Sequence, residues 1–282
     1  MTNYFKKYIK QDIFKNIQYL DPKCPPKEFK YRENEMATIA SKISPILYGS
    51  TPIHAVILGD NATGKTTAIQ TLFKEIKETI PEIIPVYINC KEKYTEFKIY
   101  SEIYTNILHK TVHRGTSAKI LYEHIIHTLQ QNHQSLIIAL DDINYLLGND
   151  TSIASPVGQE IIRNFSRANE RYSINVGLYP IITSKEFKYK FDKEIESVFI
   201  PTEITFNPYT EQDIFNIIKE RCDYVFYNQI NDEIIQLVVN EVKKNNNLRK
   251  AWELLKNFGI TMKIEEKQPT TQLMQQIIKE TL

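Results

Sequence analysis

The chain has 282 residues, and its 35 basic and 34 acidic side chains give a formal net charge of +1. This balance gives no overall signal for nucleic-acid binding, although it leaves room for a local basic face, and the length suits one α/β domain with a smaller one. No apolar stretch approaches the ~18 residues of a membrane span, so we expect no membrane partner. Because no secretory core opens the chain and three widely spaced cysteines favour free thiols, we expect a cytoplasmic location, or a nuclear one in a eukaryote.

Residues 1–30 are predicted to form a leader that packs on the α/β domain that follows it. Phe14 and Leu20 offer apolar anchors within it, and three prolines between positions 22 and 26 keep the chain extended. A helix with one apolar face is expected from Arg32 onward.

The stretch that organises the rest of the sequence is a glycine-rich loop between a strand and a helix. The strand is the apolar run Ala55–Leu58, and the helix carries apolar residues at helical spacing from Ala68 to Ile76. The loop has the form G-x-x-x-x-G-K-T, which is the P-loop pattern in its required context. The residues that we expect to bind phosphate are Gly59, Asn61, Ala62, Thr63, Gly64, Lys65, Thr66 and Thr67.

The residue types explain this assignment. Gly59 and Gly64 permit backbone angles and a close approach that a Cβ would obstruct, so the loop amides and the helix N-terminus can form a nest for phosphate oxygens. Lys65 is expected to place its ammonium near the β- and γ-phosphates of ATP, and Thr66 to offer its hydroxyl to Mg²⁺. A glycine turn that matches by chance is the alternative, and the flanking strand and helix both argue against it.

Strands alternate with helices up to about residue 206. Further buried strands are predicted at 84–90, 136–140, 174–182 and 203–206. Two helices fit 96–132, the second capped by Thr116 or Ser117, and another fits the region around 157–171. This alternation predicts an α/β fold with a five-stranded, mainly parallel sheet whose ligands bind at the carboxyl ends of the strands.

No strand signal remains after about residue 207. Thr210 can cap the first of four helices there, and the others fit 231–243, 247–258 and 270–281. The sequence therefore predicts a leader over 1–30, an α/β nucleotide-binding domain over 31–206 and a small all-α lid over 207–282.

Two carboxylates follow the third predicted strand. Asp141 is expected to hold the Mg²⁺ shell through water, and Asp142 to orient or deprotonate the attacking water. The more usual residue at the second position is glutamate, which is one methylene longer, and a misplacement of about 1 Å can cost about 10²-fold in rate. We therefore expect secure ATP binding and slow hydrolysis to ADP and phosphate, with Asp142 as the weak catalytic carboxylate. Two acidic residues that merely end a strand are the alternative.

Taken in order, these segments resemble one family, the origin-recognition and cell-division-control replication initiators of archaea and eukaryotes, which are AAA+ ATPases. The resemblance extends over roughly residues 12–280, and the segments that carry it are Asp12–Phe14, Arg32–Glu35, Val86–Cys90, Leu140–Leu146, Phe206–Thr210 and Leu248–Leu255. It implies a nucleotide-switched role in origin recognition or helicase loading. The implied partners are double-stranded DNA and other replication or AAA+ subunits.

The resemblance also implies further nucleotide contacts. Thr183, with Ser184 beside it, is the nearest match to the polar sensor 1 residue. Tyr209 and Arg221 would line the nucleotide from the lid, and Arg249 of the sensor 2 helix would reach the γ-phosphate, where a guanidinium can bond two oxygens. Without the family, a packed turn aromatic and two solvated helix charges are the ordinary interpretations of these three residues.

The sequence departs from the family at several positions. Asp142 and Asn144 replace the usual glutamate and aspartate of the Walker B signature, and the arginine-finger position aligns with Glu194. Nearby alternatives for the finger are Arg163, Arg167 and Arg171. Family members usually continue into a winged-helix DNA-binding domain, whereas this sequence stops at Leu282, so we expect that module to be missing.

DNA contact could then come from a basic-aromatic stretch, or the same stretch could be a solvated connection. Its residues are Lys185, Phe187, Lys188, Tyr189, Lys190, Phe191 and Lys193. We expect DNA binding to be weak and salt-sensitive. Two other functions stay open: a regulatory or scaffold subunit that holds ATP with little turnover, and a helper ATPase of a plasmid or transposition system, which Tyr209 and Arg249 disfavour.

Overall fold

The computed structural model describes residues 13–22, 24–147, 156–183 and 193–281. The chain divides into two compact units. The α/β unit comprises residues 32–60 and 64–207, and the helical unit comprises the described residues up to Tyr31, the loop residues Asn61–Thr63 and the chain from Pro208 onward. Among the described residues, no helix combines the length and the apolar character that a membrane span requires.

A five-stranded sheet lies at the centre of the α/β unit. Its strands are β1 (Ala55–Leu58), β2 (Ile83–Asn89), β3 (Ser135–Asp141), β4 (Val176–Ile182) and β5 (Thr202–Thr205). Their order is β2-β3-β4-β1-β5, and the described pairings are parallel. Every residue of β4 is buried, as expected for a strand covered on both faces. The predicted α/β class and parallel sheet are confirmed.

One helix precedes the strands of this unit, and the other helices connect them. In chain order the helices are α1 (Glu33–Ile43), α2 (Lys65–Thr79), α3 (Glu96–Leu108), α4 (Ala118–Gln131), α5 (Asn144–Leu147), α6 (Pro156–Ser166), α7 (Ala168–Tyr172) and α8 (Lys193–Glu196). Of the two expected caps, Ser117 is the one that caps α4, accepting a hydrogen bond from the amide of Ile120. The single helix expected around 157–171 is wrong in one respect, because Arg167 (φ −95°, ψ 6°) leaves the helical conformation and separates α6 from α7.

Strand register places the polar strand ends at one edge of the sheet. Leu58, the last residue of β1, pairs with Ile182, the last residue of β4. Asp141 at the end of β3 pairs with Asn89 on one side and Ile181 on the other. The loop after β1, the acidic end of β3 and the residue after β4 therefore share this edge.

Four helices of the helical unit pack around an apolar core. They are α9 (Glu211–Val225), α10 (Asp232–Asn245), α11 (Arg249–Glu265) and α12 (Thr271–Thr281). Thr210 caps α9 as predicted, in a reciprocal pair of hydrogen bonds with Asp213. Helix α11 runs seven residues beyond its predicted end at 258, because Gly259 and Met262 continue its buried face.

The described part of the leader belongs to the helical unit, whereas the sequence predicts packing on the ATPase domain. Phe14 pairs with Phe226 in an antiparallel bridge, and their ring centroids are 5.4 Å apart. Leu20, in the 3-10 helix Ile17–Leu20, is 2% exposed within the same core. The apolar anchors of the leader thus pack against the core of the helical unit.

Candidate functional site

The loop that joins β1 to α2 has an unusual backbone. Gly64, the residue before α2, has a φ of 94°, and Ala62 has a φ of 60°. Glycine takes such angles freely, whereas the left-handed conformation costs a residue with a Cβ about 1–2 kcal/mol. Strain of this kind is typical of loops that clamp a ligand.

Lys65 lies folded back on this loop. Its residue is 5% exposed, and its Nζ donates hydrogen bonds to the carbonyl oxygens of Gly59 (2.8 Å) and Asp60 (2.6 Å). Gly64 has no side chain with which to cap α2, so the first amides of the helix point to the loop. The ammonium and the helix N-terminus concentrate positive charge here, which favours an anion.

Thr66 joins the loop to the end of β3. As the second residue of α2, it donates from Oγ1 to Oδ2 of Asp141 over 2.7 Å. A hydroxyl beside a carboxylate provides the oxygen ligands that Mg²⁺ prefers. The structure therefore brings together the two residues that the sequence predicts at the metal.

Three further loop residues are predicted to bind phosphate. Asn61 is exposed, Thr63 is buried at 3% exposure, and Thr67 is partly buried on the first turn of α2. Their phosphate contacts stay predictions.

The Asp141 carboxylate is buried and has three donors. Asp141 is 5% exposed. Besides the bond from Thr66, its Oδ2 accepts a hydrogen bond from the hydroxyl of Tyr87 (2.6 Å), and its Oδ1 accepts one from the amide of Asp142 (3.0 Å). Burial raises the pKa of Asp141, while the bonds from Tyr87 and Thr66 oppose that rise. Burial, together with the charge of Asp141, raises the pKa of Tyr87. Sequence reasoning missed Tyr87, because the sequence alone does not show the pairing register of β2 and β3.

Asp142 and Thr183 are also in contact. Asp142 has a left-handed backbone (φ 55°), and its Oδ1 accepts a hydrogen bond of 2.6 Å from Thr183 Oγ1. The predicted catalytic carboxylate and the predicted sensor 1 residue are thus held together at the sheet edge. The neighbouring alternative for the sensor, Ser184, lies outside the described residues.

Arg221 binds the leader. Its residue is 8% exposed, and its Nη1 donates to the carbonyl oxygens of Tyr19 (2.6 Å) and Cys24 (3.3 Å). The guanidinium carbon lies 4.5 Å from the ring centroid of Trp252. Such planar stacking suits a guanidinium, so a structural role in the helical unit accounts for this arginine.

The other two residues predicted to act from the lid, Tyr209 and Arg249, are more exposed to solvent than Arg221. Tyr209 is partly buried against the core of the helical unit. Arg249 is the exposed first residue of α11, and its backbone amide donates to Oδ1 of Asn247 over 3.1 Å. The nucleotide contacts of Tyr209, Arg221 and Arg249 stay predictions.

Glu194, at the aligned arginine-finger position, is held by two of the alternative arginines. Arg167 Nη1 lies 2.9 Å from one of its carboxylate oxygens, and Arg163 Nε lies 3.5 Å from the other. Arg163 also pairs with Glu160 over 2.6 Å. The basic-aromatic stretch lies outside the described residues except for Lys193, which begins α8.

The chain is similar to known proteins in both sequence and fold. A family model described as an AAA domain matches residues 50–178. ORC1-type DNA replication protein 2 of Methanothermobacter thermautotrophicus is 34% identical over 252 residues, which cover 88% of this chain and 65% of that protein. The chain thus spans slightly less than two thirds of this relative.

Solved structures show the same fold. The Aeropyrum pernix ORC1 protein in complex with DNA superposes with a TM-score of 0.80 at 22% identity, covering 97% of this chain and 71% of that chain. The Aeropyrum pernix ORC2 protein, in ADPNP-ADP complexes, gives a TM-score of 0.78 at 18% identity, covering 95% of this chain and 73% of that chain.

Proposed function

We propose that this chain, a homologue of ORC1-type DNA replication proteins, binds ATP with Mg²⁺ and serves as a nucleotide-controlled replication initiator with slow hydrolysis. The observation that carries this proposal is the 2.7 Å hydrogen bond between Thr66 and Asp141, beside the folded-back Lys65. Lys65 and the loop amides would hold phosphate oxygens, and Thr66 and Asp141 would hold the metal shell. The bound nucleotide would supply the phosphoanhydride bond that is cleaved.

Slow hydrolysis follows from two properties of Asp142. Its carboxylate is one methylene shorter than the glutamate usual at this position, and Thr183 holds one of its oxygens over 2.6 Å. A base must lie within hydrogen-bond reach of the proton that it accepts. Asp142 would therefore have to extend toward a water while part of its acceptor capacity is engaged.

Duplex DNA is the proposed partner. The Aeropyrum pernix ORC1 structure is a complex with DNA, and the stretch from Lys185 to Lys193 supplies lysines and aromatics that suit a phosphate backbone. We expect weak, salt-sensitive binding that falls further when Lys185, Lys188, Lys190 and Lys193 are replaced by alanine. Equal retention of duplex DNA by wild type and this variant would remove the stretch from the proposal.

A second candidate is a subunit that holds ATP with little or no turnover. The ion pairs of Glu194 favour it, because the carboxylate at the aligned finger position engages Arg163 and Arg167. Guanidinium groups tied to a carboxylate are not available to a neighbouring subunit's γ-phosphate unless those ion pairs open. Turnover measured with and without candidate partner subunits separates the two functions.

The site is tested by calorimetric titration with Mg²⁺-ATP. Lys65→Ala should lower the affinity by more than about 10-fold, because a charge-assisted phosphate contact is lost. Lys74→Ala is the matched control, since Lys74 lies on the same helix with its side chain 77% exposed. Unchanged affinity in Lys65→Ala, or equal losses in both variants, would overturn the assignment.

Turnover tests the catalytic role. ATP hydrolysis is measured with and without duplex DNA for wild type, Asp142→Glu and Asp142→Asn. A slow switch ATPase predicts loss of turnover in Asp142→Asn and a gain in Asp142→Glu. Tight retention of ATP without turnover in all three proteins would favour the holding subunit.

A further inference from the structure

We propose that Tyr87 is a positioning residue of the metal site, holding Asp141 in place from the neighbouring strand through its phenolic hydroxyl. The inference rests on the proposed ATP and Mg²⁺ site. Nothing in the glycine-rich loop or in the acidic pair points to this residue, because it lies on β2, outside both motifs.

Strand register brings Tyr87 to the carboxylate. Tyr87 pairs with Ala139 in the parallel ladder of β2 and β3. Side chains two residues apart on a strand share one face of the sheet, so Asp141 lies on the same face as Ala139 and diagonally beside Tyr87. A phenol spans this diagonal and ends in a donor, and the resulting O–O distance to Asp141 Oδ2 is 2.6 Å.

The two hydroxyls together saturate one carboxylate oxygen. Each oxygen of a carboxylate offers about two acceptor positions, and Oδ2 accepts from both Thr66 (2.7 Å) and Tyr87 (2.6 Å). Oδ1 accepts from the amide of Asp142 over 3.0 Å, which leaves one of its positions open. The carboxylate therefore has a fixed rotation, with its remaining acceptor position on Oδ1.

This arrangement suits a carboxylate that acts on a metal through water. With Thr66 and the Asp142 amide as its donors, the carboxylate would be held by one hydrogen bond on each oxygen and could still tilt about its χ2 angle. Tyr87 removes that freedom, while the Thr66 oxygen keeps a lone pair after donating its proton. Groups that orient a metal-binding side chain typically account for about 10–100-fold in metal affinity.

Tyr87→Phe tests the role, and Tyr179→Phe is the matched control. Tyr179 lies on β4 of the same sheet and donates its hydroxyl to the Ile53 carbonyl over 3.1 Å, so its variant also loses one buried hydroxyl contact. ATP binding is titrated by calorimetry across Mg²⁺ concentrations and again in EDTA, and the melting temperature of each protein is recorded.

We expect Tyr87→Phe to raise the Mg²⁺ concentration for half-maximal ATP binding by about 10-fold. Its ATP affinity in EDTA should equal that of wild type, and Tyr179→Phe should keep the wild-type Mg²⁺ dependence. An unchanged Mg²⁺ dependence in Tyr87→Phe, or the same shift in both variants, would overturn the inference alone. Absence of Mg²⁺-dependent ATP binding in wild type would instead overturn the proposed function, and this inference with it.

Discussion

His54 is a covered imidazole whose protonation should govern stability in acid. Its Nδ1 accepts a hydrogen bond of 3.1 Å from the amide of Leu178, at the junction of β1 and β4, and its ring lies 5.2 Å from that of Phe199. A nitrogen that accepts this bond cannot carry a proton without losing it. Burial accordingly lowers the pKa of His54 from 6.5 to about 4.

The sign and size of the effect follow from linkage. Because the native pKa lies below the unfolded one, the unfolded chain takes up the proton first as the pH falls. The contribution of neutral His54 to stability is fully present above about pH 6.5 and is lost progressively toward pH 4. At 1.36 kcal/mol for each pH unit, the interval corresponds to about 3 kcal/mol, which is an upper limit because the residue keeps some exposure to solvent.

Urea unfolding at pH 7.5, 6.0, 5.0 and 4.5 measures this contribution. His54→Asn supplies a side-chain oxygen that can accept from the Leu178 amide but does not titrate, so wild type should lose up to about 3 kcal/mol more than the variant over this range. His127→Asn is the control, because His127 is exposed on α4 and its substitution should leave the wild-type pH dependence intact. Parallel stability curves for wild type and His54→Asn would refute the reasoning.

Two predictions concern the leader. In Gly259→Ala the new Cβ would overlap the ring of Phe14 and lie 2.8 Å from Phe226 Cε1. Urea unfolding should therefore show a free energy of unfolding lower by about 1–3 kcal/mol, and a neutral substitution would contradict the tight packing. Arg221→Lys keeps the charge but loses the planar stack on Trp252 and the Nη1 group that donates to both leader carbonyls. Limited proteolysis should therefore cleave before residue 32 faster than in wild type, and equal cleavage rates would count against this anchor.

Much of the candidate site could be predicted because the residues that follow each apolar run show where a strand ends. An apolar run followed by a glycine-rich loop places Lys65 and Thr66 at the end of β1, and Asp141 follows a second such run. Since parallel strands end at one edge, the pairs Thr66–Asp141 and Thr183–Asp142 meet there without any further signal. Local pattern and sheet geometry are sufficient for these contacts.

Tyr87 could not be predicted in this way, because its role depends on which strand is the neighbour of β3 and in which register. Periodicity places Tyr87 on a strand but does not say what lies beside it. The separation of α6 from α7 at Arg167 was not predicted either. The continuation of α11 past Gly259 was also missed, because burial of Gly259 and Met262 extends the helix beyond its local signal.

For Arg221, the residue type alone does not distinguish a nucleotide contact from a structural one. A guanidinium fork binds carbonyl oxygens and phosphate oxygens with the same N–H donors, so an arginine on α9 is compatible with a nucleotide contact and with a structural one. Its Nη1 is already committed to the carbonyls of Tyr19 and Cys24, and its plane lies against Trp252. Any contact of Arg221 with a nucleotide must therefore use its other donors or release the leader. In the second case the leader would respond to nucleotide, and its rate of proteolysis would change when ATP is added to wild type but not to Arg221→Lys.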